Sequence, residues 1–207
     1  MERESGCDDR PVVLPEEEAP PHARQCERCE LCRQRRRVVW GEGNPRASIL
    51  LVLDNPGARE DREGREFVCG TRETLQRGMR AAGLPPDAVY VTYLLKCRPI
   101  RAYDKPAARA ACFPHLQLQL LAQKPSLLMG FGNTVAEALL PAAEGGVKAL
   151  RGRWHDYEGT PIRFTYHPLA VRRRPNLLPN FTDDLRALAA RWRELPRGRP
   201  ASRPPQG

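Results

Sequence analysis

Ser48-Ile49-Leu50-Leu51-Val52-Leu53, running into Asp54-Asn55-Pro56-Gly57, is the stretch on which the fold turns. A short apolar run closed by turn formers reads as a buried strand that ends in a loop. The same grammar recurs down the chain. Thr71 to Ala82 has helical spacing, with Leu75, Met79 and Ala82 on one face. Val89 to Leu95 is β-branched and aromatic, hence a strand. Pro106 to Gln123 carries a leucine stripe at helical spacing, and Ser126 to Gly130 is a third strand. Asn133 is placed to cap a helix through Leu140, and Ile162 to Tyr166 is a fourth strand. Thr182 is placed to cap a last helix, with Leu185, Leu188 and Trp192 on its inner face. Strand–helix alternation predicts an α/β fold: a three-layer α/β/α sandwich around a mostly parallel four-stranded sheet.

Such a sheet binds ligands at the carboxyl ends of its strands. Four polar or glycine-rich loops fall there: Asp54-Asn55-Pro56-Gly57, Lys96-Cys97-Arg98-Pro99, Gly130-Phe131-Gly132-Asn133 and His167-Pro168. Asp54 and Asn55 supply an acid and an amide, and His167 faces them if the strand order allows. Arg172, Arg173 and Arg174 follow His167 and suit a nucleic-acid backbone. Phe67, in a charged loop beyond the first strand, is an aromatic able to stack a flat ring.

Composition narrows the partners. The chain has 207 residues, with 34 Lys and Arg against 25 Asp and Glu, a net charge of +9. That length is one domain able to bury its own core, and the positive excess favours a polyanion. No stretch approaches the ~20 apolar residues of a membrane span. Residues 1–24 are acidic and proline-rich and are expected to be a disordered tail. Residues 196–207 are expected to be a disordered basic tail, leaving 25–195 as the domain. The N-terminus has no apolar signal segment, so a cytoplasmic location is expected. In a reducing compartment, seven cysteines argue for metal rather than disulfides. Cys26 and Cys29 form a C-x2-C pair, and Cys97 and Cys112 lie far downstream. Four thiolates so placed suit zinc or an iron–sulfur cluster, and either would staple the N-terminal segment to the body.

Taken in order, the motifs resemble the iron–sulfur uracil-DNA glycosylases, the family-4 branch of the uracil-DNA glycosylase superfamily. The matching pieces are Cys26-x-x-Cys29, Gly41-Glu-Gly-Asn44, Asn55-Pro56-Gly57, Glu60-Asp61 and Gly64-x-x-Phe67-Val68. Val89-Tyr90-x-Thr92, Lys96-Cys97-Arg98-Pro99 and Cys112-x-Pro114-x-Leu116 follow. Gly132-Asn133-x-x-Ala136, Arg151-Gly152 and His167-Pro168 complete the series over residues 26–193.

The resemblance implies a DNA glycosylase that flips out and hydrolytically excises uracil or a related modified base, initiating base excision repair. It implies that Cys26, Cys29, Cys97 and Cys112 hold a 4Fe–4S cluster, with Cys32 as an extra cysteine nearby. It makes His167 the donor to the departing base, Asp54 and Asn55 the charge-stabilising and water-positioning groups, and Phe67 the stacking ring. Tyr93 and Asn133 join Phe67 as base-binding positions. Arg98 and Arg172 to Arg174 are the expected DNA contacts, on single- or double-stranded DNA, in a monomer.

Two departures matter. Asp54-Asn55 stands where the family has Glu-Ala, and Tyr93 stands where it has the Asn that reads uracil. A phenol cannot reproduce a carboxamide's paired donor and acceptor, so an altered base preference is an alternative. No lysine occupies a nucleophile position, so no lyase step is expected. A nucleic-acid binder without turnover and a zinc-stapled basic domain are the other readings.

Overall fold

Alternate residues along a strand point to opposite faces of its sheet, and here each face finds its own core. The computed structural model describes residues 11–62, 68 and 70–196. Its strands are β1 (Glu16–Glu17), β2 (Gly41–Gly43), β3 (Ile49–Leu53), β4 (Val89–Tyr93), β5 (Leu127–Phe131), β6 (His155–Tyr157) and β7 (Thr160–Thr165). The helices are α1 (Pro21–Arg24), α2 (Gly70–Ala81), α3 (Lys105–Gln123), α4 (Asn133–Leu139), α5 (Gly146–Leu150), α6 (Pro168–Arg173) and α7 (Leu178–Glu194).

Ile49, Leu51 and Leu53 of β3 join Val91 of β4 and Met129 of β5 in a core closed by Leu75 and Met79 of α2 and Phe181 and Leu185 of α7. Leu50 and Val52 face the other way, with Leu128 and Phe164, against Leu116 of α3, Val135 of α4 and Val147 of α5. Every residue of β3, β4 and β5 is buried. Each fully buried leucine or valine contributes about 1.5–3 kcal/mol, so this doubly covered sheet carries most of the apolar driving force.

The strand order is β1-β2-β4-β3-β5-β7-β6. β4, β3, β5 and β7 are parallel to one another, while β2, β1 and β6 are added antiparallel at the edges. The chain leaves β3 for β4 on one side and later returns to β5 on the other. That reversal opens a crevice beyond the carboxyl ends of the central strands.

The expected four-stranded sheet is therefore the parallel centre of a seven-stranded one. The extra strands are two or three residues long. β6 joins β7 through Glu158 and Gly159, both in the left-handed region (φ 48° and 82°), the backbone of a tight hairpin.

The expected disordered tail is also corrected: residues 11–24 hold β1 and α1, and residues 1–10 lie outside the described ones. The acidic run is satisfied by partners. Glu16 pairs with Arg37, and Glu17 accepts from the Tyr90 hydroxyl. The expected basic tail at 196–207 is described at Pro196 alone.

Helix starts shift for local reasons. Asp104 caps α3 by accepting from the Ala107 N–H at 3.0 Å. Gly132 precedes α4, so Asn133 is its first residue. α7 begins four residues before Thr182, with Pro179 in the first turn, where its missing N–H costs nothing. No described helix is long and apolar enough to cross a membrane.

Candidate active site

The crevice holds a cleft of about 310 Å³ lined by Asp54, Asn55, Arg59, Glu60, Arg72, Tyr93, His167 and Arg172, among others. Asp54 follows β3 and His167 follows β7, with β5 between them. Their loops must therefore reach over the end of β5, and Gly132 makes this possible. Its φ of 85° suits glycine, and a Cβ there would stand 3.1 Å from the His167 Cβ.

His167 Nε2 stands 3.1 Å from Asp54 Oδ1. Nδ1 of the same ring accepts from the Leu169 N–H at 3.1 Å. A neutral imidazole has one donor and one acceptor, so the proton sits on Nε2, facing the cleft. That N–H is close to the carboxylate but off its axis, and it makes no well-aligned hydrogen bond. Such slack is common in sites whose bonds tighten on substrate.

Burial pushes the Asp54 carboxyl up. The His167 ring, 3.1 Å away, together with the Asn55 N–H at 2.8 Å, outweighs it, and the carboxyl lies below the ordinary aspartate value. Asn55 donates its side-chain amide to the Pro56 carbonyl at 2.9 Å, which leaves Oδ1 as an acceptor at the cleft.

Tyr93 ends β4 on the cleft floor and is buried. Arg72, from the first turn of α2, lies beside it, 2 % exposed, and pairs with Glu42 of β2. Sequence reasoning gave Arg72 no role and met Glu42 only as part of the Gly41-Glu-Gly-Asn44 match. An arginine near a helix start reads as solvated, and the only signal was its place two residues after a glycine that opens the helix onto the crevice.

The remaining expected residues divide. Arg172 lines the cleft, while Arg173 and Arg174 are exposed at the end of α6 beside it. Arg98 is turned to the fully buried Asp61, with Nη1 4.0 Å from Oδ2. Asn133 does not line the cleft; its Oδ1 accepts from the Val147 N–H at 2.9 Å and so holds the start of α5. Phe67 lies outside the described residues.

Cys26, Cys29, Cys97 and Cys112 line one small cavity on the other side of the β4–α3 connection. Cys32 does not line it. Around it, Ala23, Leu31, Val38 and Trp40 from the N-terminal segment pack on Leu95 and Ala108. Burial pushes the Cys97 thiol up to about 12, and Cys29 and Cys112 are also raised. His115 Nε2 stands 3.4 Å from Cys26 Sγ, and the Lys96 N–H donates to Cys112 Sγ at 3.2 Å. Among the described residues, no three His, Cys, Asp or Glu side chains are close enough to hold a single metal ion.

Lys96 joins the two regions. Its ammonium is fully buried, donating to Thr92 Oγ1 at 2.6 Å, the Tyr93 carbonyl at 2.8 Å and Gln119 Oε1. It also lies over the Trp40 ring, 5.2 Å from its centre.

A parallel α/β sheet with an acid–imidazole pair across its switch-point crevice defines a class of strand-end enzymes rather than one chemistry. The comparison with known families narrows it. Residues 40–195 match the model of the uracil DNA glycosylase superfamily. A type-4 uracil-DNA glycosylase of Pyrobaculum aerophilum is 33% identical over 172 residues, covering 78% of this chain and 87% of that one. The type-4 uracil-DNA glycosylase of Sulfurisphaera tokodaii is 31% identical over 172 residues, covering 79% and 78%. That of Thermotoga maritima is 31% identical over 158 residues, covering 75% and 82%. The chain belongs to the uracil DNA glycosylase superfamily, in its type-4 branch.

Proposed function

We propose that the protein is a monofunctional DNA N-glycosylase that takes a flipped uracil or related base into the strand-end cleft and hydrolyses its glycosidic bond, initiating base excision repair. The observation that carries this reading is the 3.1 Å approach of His167 Nε2 to Asp54 Oδ1 over Gly132. A lowered carboxyl pKa keeps Asp54 anionic, which stabilises the positive charge that grows on the sugar. Asn55 Oδ1 holds the attacking water. The water oxygen bonds to C1′, its proton passes to Asp54, and the C–N electron pair leaves with the base. The Nε2–H of His167 donates to the base oxygen on which that negative charge collects. Arg172, with Arg173 and Arg174, lies at the cleft's edge, where a phosphate backbone would run.

Four cysteine sulfurs around one cavity match the donor set of an iron–sulfur cluster. Cys26, Cys29, Cys97 and Cys112 would hold a 4Fe–4S cluster. When bound it would supply four iron–sulfur bonds pinning the N-terminal segment to the β4–α3 connection. A monomer acting on DNA in the cytoplasm completes the reading.

The test is strand scission by alkali after incubation with uracil-containing DNA, single- and double-stranded, beside hypoxanthine and 5-hydroxymethyluracil. Release of uracil by the native chain, lost in His167→Ala, supports it. Tight binding without release of any base would make the protein a binder.

A further inference from the structure

The floor of the cleft holds a cation that the hydrolysis above does not use. Arg72 is 2 % exposed and lines the cleft. Its Nη2 forms an ion pair with Glu42. Glu42 is itself buried on β2, in register with Val91 of β4, two residues before Tyr93. Nε and Nη1 of Arg72 are buried and have no hydrogen-bond partner among the described residues. Buried charged donors left unpaired are costly, and such groups in a folded protein call for an explanation. Arg172, exposed on the same cleft, is the cation a phosphate backbone would meet, whereas a base entering the cleft would meet the buried Arg72.

We propose that Arg72, paired with Glu42 and set beside the Tyr93 phenol, is the specificity-determining residue that reads the base through its carbonyl oxygens. Guanidinium N–H groups donate and never accept. The pocket therefore takes bases whose exposed edge offers oxygen acceptors, such as uracil and its 5-substituted forms. It rejects an edge bearing an amino group, such as that of cytosine. The cation also gains strength as the bond breaks, because the departing base becomes an anion spread over those oxygens. An interaction stronger in the transition state raises kcat more than it lowers KM. This inference rests on the glycosylase reading and names the base class of that same site.

The experiment is single-turnover excision by the full chain from oligonucleotides carrying uracil or 2-pyrimidinone, which lacks the C4 oxygen. Each rate is normalised to acid hydrolysis of the same nucleoside. The native protein is expected to favour uracil by roughly 30-fold or more, the scale of a lost buried hydrogen bond to a charged group. In Arg72→Met/Glu42→Met, which removes both buried charges together, that preference falls to about unity. Its kcat on uracil drops by a similar factor, with KM within about 3-fold. A preference kept intact in the double variant overturns the inference and leaves the glycosylase reading standing. If the double variant does not fold, the native comparison decides: absence of preference for uracil overturns the inference, and its presence supports it. No uracil release by the native protein overturns the glycosylase reading and the inference with it.

Discussion

The cleft and the cysteine cavity lie on either side of one short connection, yet they are built in opposite ways. Tyr93 ends β4 facing the cleft, and Cys97, four residues later, faces the cavity. The cleft is assembled by topology. Asp54, Tyr93 and His167 stand there because the strands beneath them end there; Tyr93 also packs into the core, whereas Asp54 and His167 lie beyond the strands. The cavity is assembled by packing. Residues 26–40 contribute one short turn of 3-10 helix and no strand, so their place depends on Leu31, Val38 and Trp40 finding the body. The difference teaches that the first region can lose a side chain and keep the fold, whereas the second holds a piece of the fold in place.

The sharpest way to break that contrast is to remove a cleft residue. His167→Ala is expected to lower single-turnover excision of uracil by roughly 100- to 10,000-fold, the range of a lost general acid. The melting temperature should stay within a few degrees, at roughly 2–4 °C per kcal/mol for a chain this size. A large fall in melting temperature would show that the cleft is part of the scaffold after all.

The reciprocal change lies in the cavity. Cys112→Ser is expected to abolish iron in the purified protein. It should cost several kcal/mol, which lowers the melting temperature by about 10 °C. Cys32→Ser, outside the cavity, should leave iron content as it was. Equal iron loss from both variants would mean that the ligand set is not the four cavity cysteines.

A smaller effect sharpens the electrostatic side of the contrast. Two influences on Asp54 oppose each other: burial raises its pKa, and His167 with the Asn55 N–H lowers it further. Removing His167 leaves burial with less to counter it, so the Asp54 midpoint in a carbon NMR titration should move up in His167→Ala. Because the folded pKa is depressed, Asp54 stabilises the native protein above the unfolded carboxylate value of about 3.9. That contribution is lost as pH falls through the folded value, and the variant should lose it at higher pH. A midpoint that stays put would mean that His167 does not set the charge of Asp54.

Much of the molecule was legible because its central signals are redundant. Ile49 to Leu53 can be little else than a buried strand, and the loops that follow such strands must share one edge. Asp54 and His167 thus fall on one rim; that they face each other is shown by the 3.1 Å approach, which the loops alone only permit. The edges were not legible. Gly41 to Gly43 and Glu16 to Glu17 are too short and too polar to carry a period. They become strands because β4 offers an open edge and because Arg37 and Tyr90 satisfy the acids. Arg72 escaped for a related reason. Helical spacing marks apolar residues as buried, and nothing in it reveals that an arginine turns inward to meet a glutamate from a strand 30 residues earlier.

Asn133 gives the finest test, because two roles make opposite forecasts. As a base-binding residue, it would raise KM for uracil-DNA when replaced by alanine and leave stability unchanged. As the acceptor for the Val147 N–H, it acts as a cap on α5, since α5 has no side-chain cap from Gly145 that precedes it. Caps of this kind are worth about 1 kcal/mol. The Asn133 Oδ1 lies so close to Gly146 that a Cβ on that glycine would stand 2.9 Å from it, so the loop has closed around the amide. Asn133→Ala is therefore expected to lower the melting temperature by about 3 °C, the equivalent of that lost cap. KM for uracil-DNA should hold within about 2-fold, because the side chain it removes points to α5 and the cleft is lined by others. A risen KM with an unchanged melting temperature would return Asn133 to the base, and would mean that the β5–α4 loop rearranges when DNA binds.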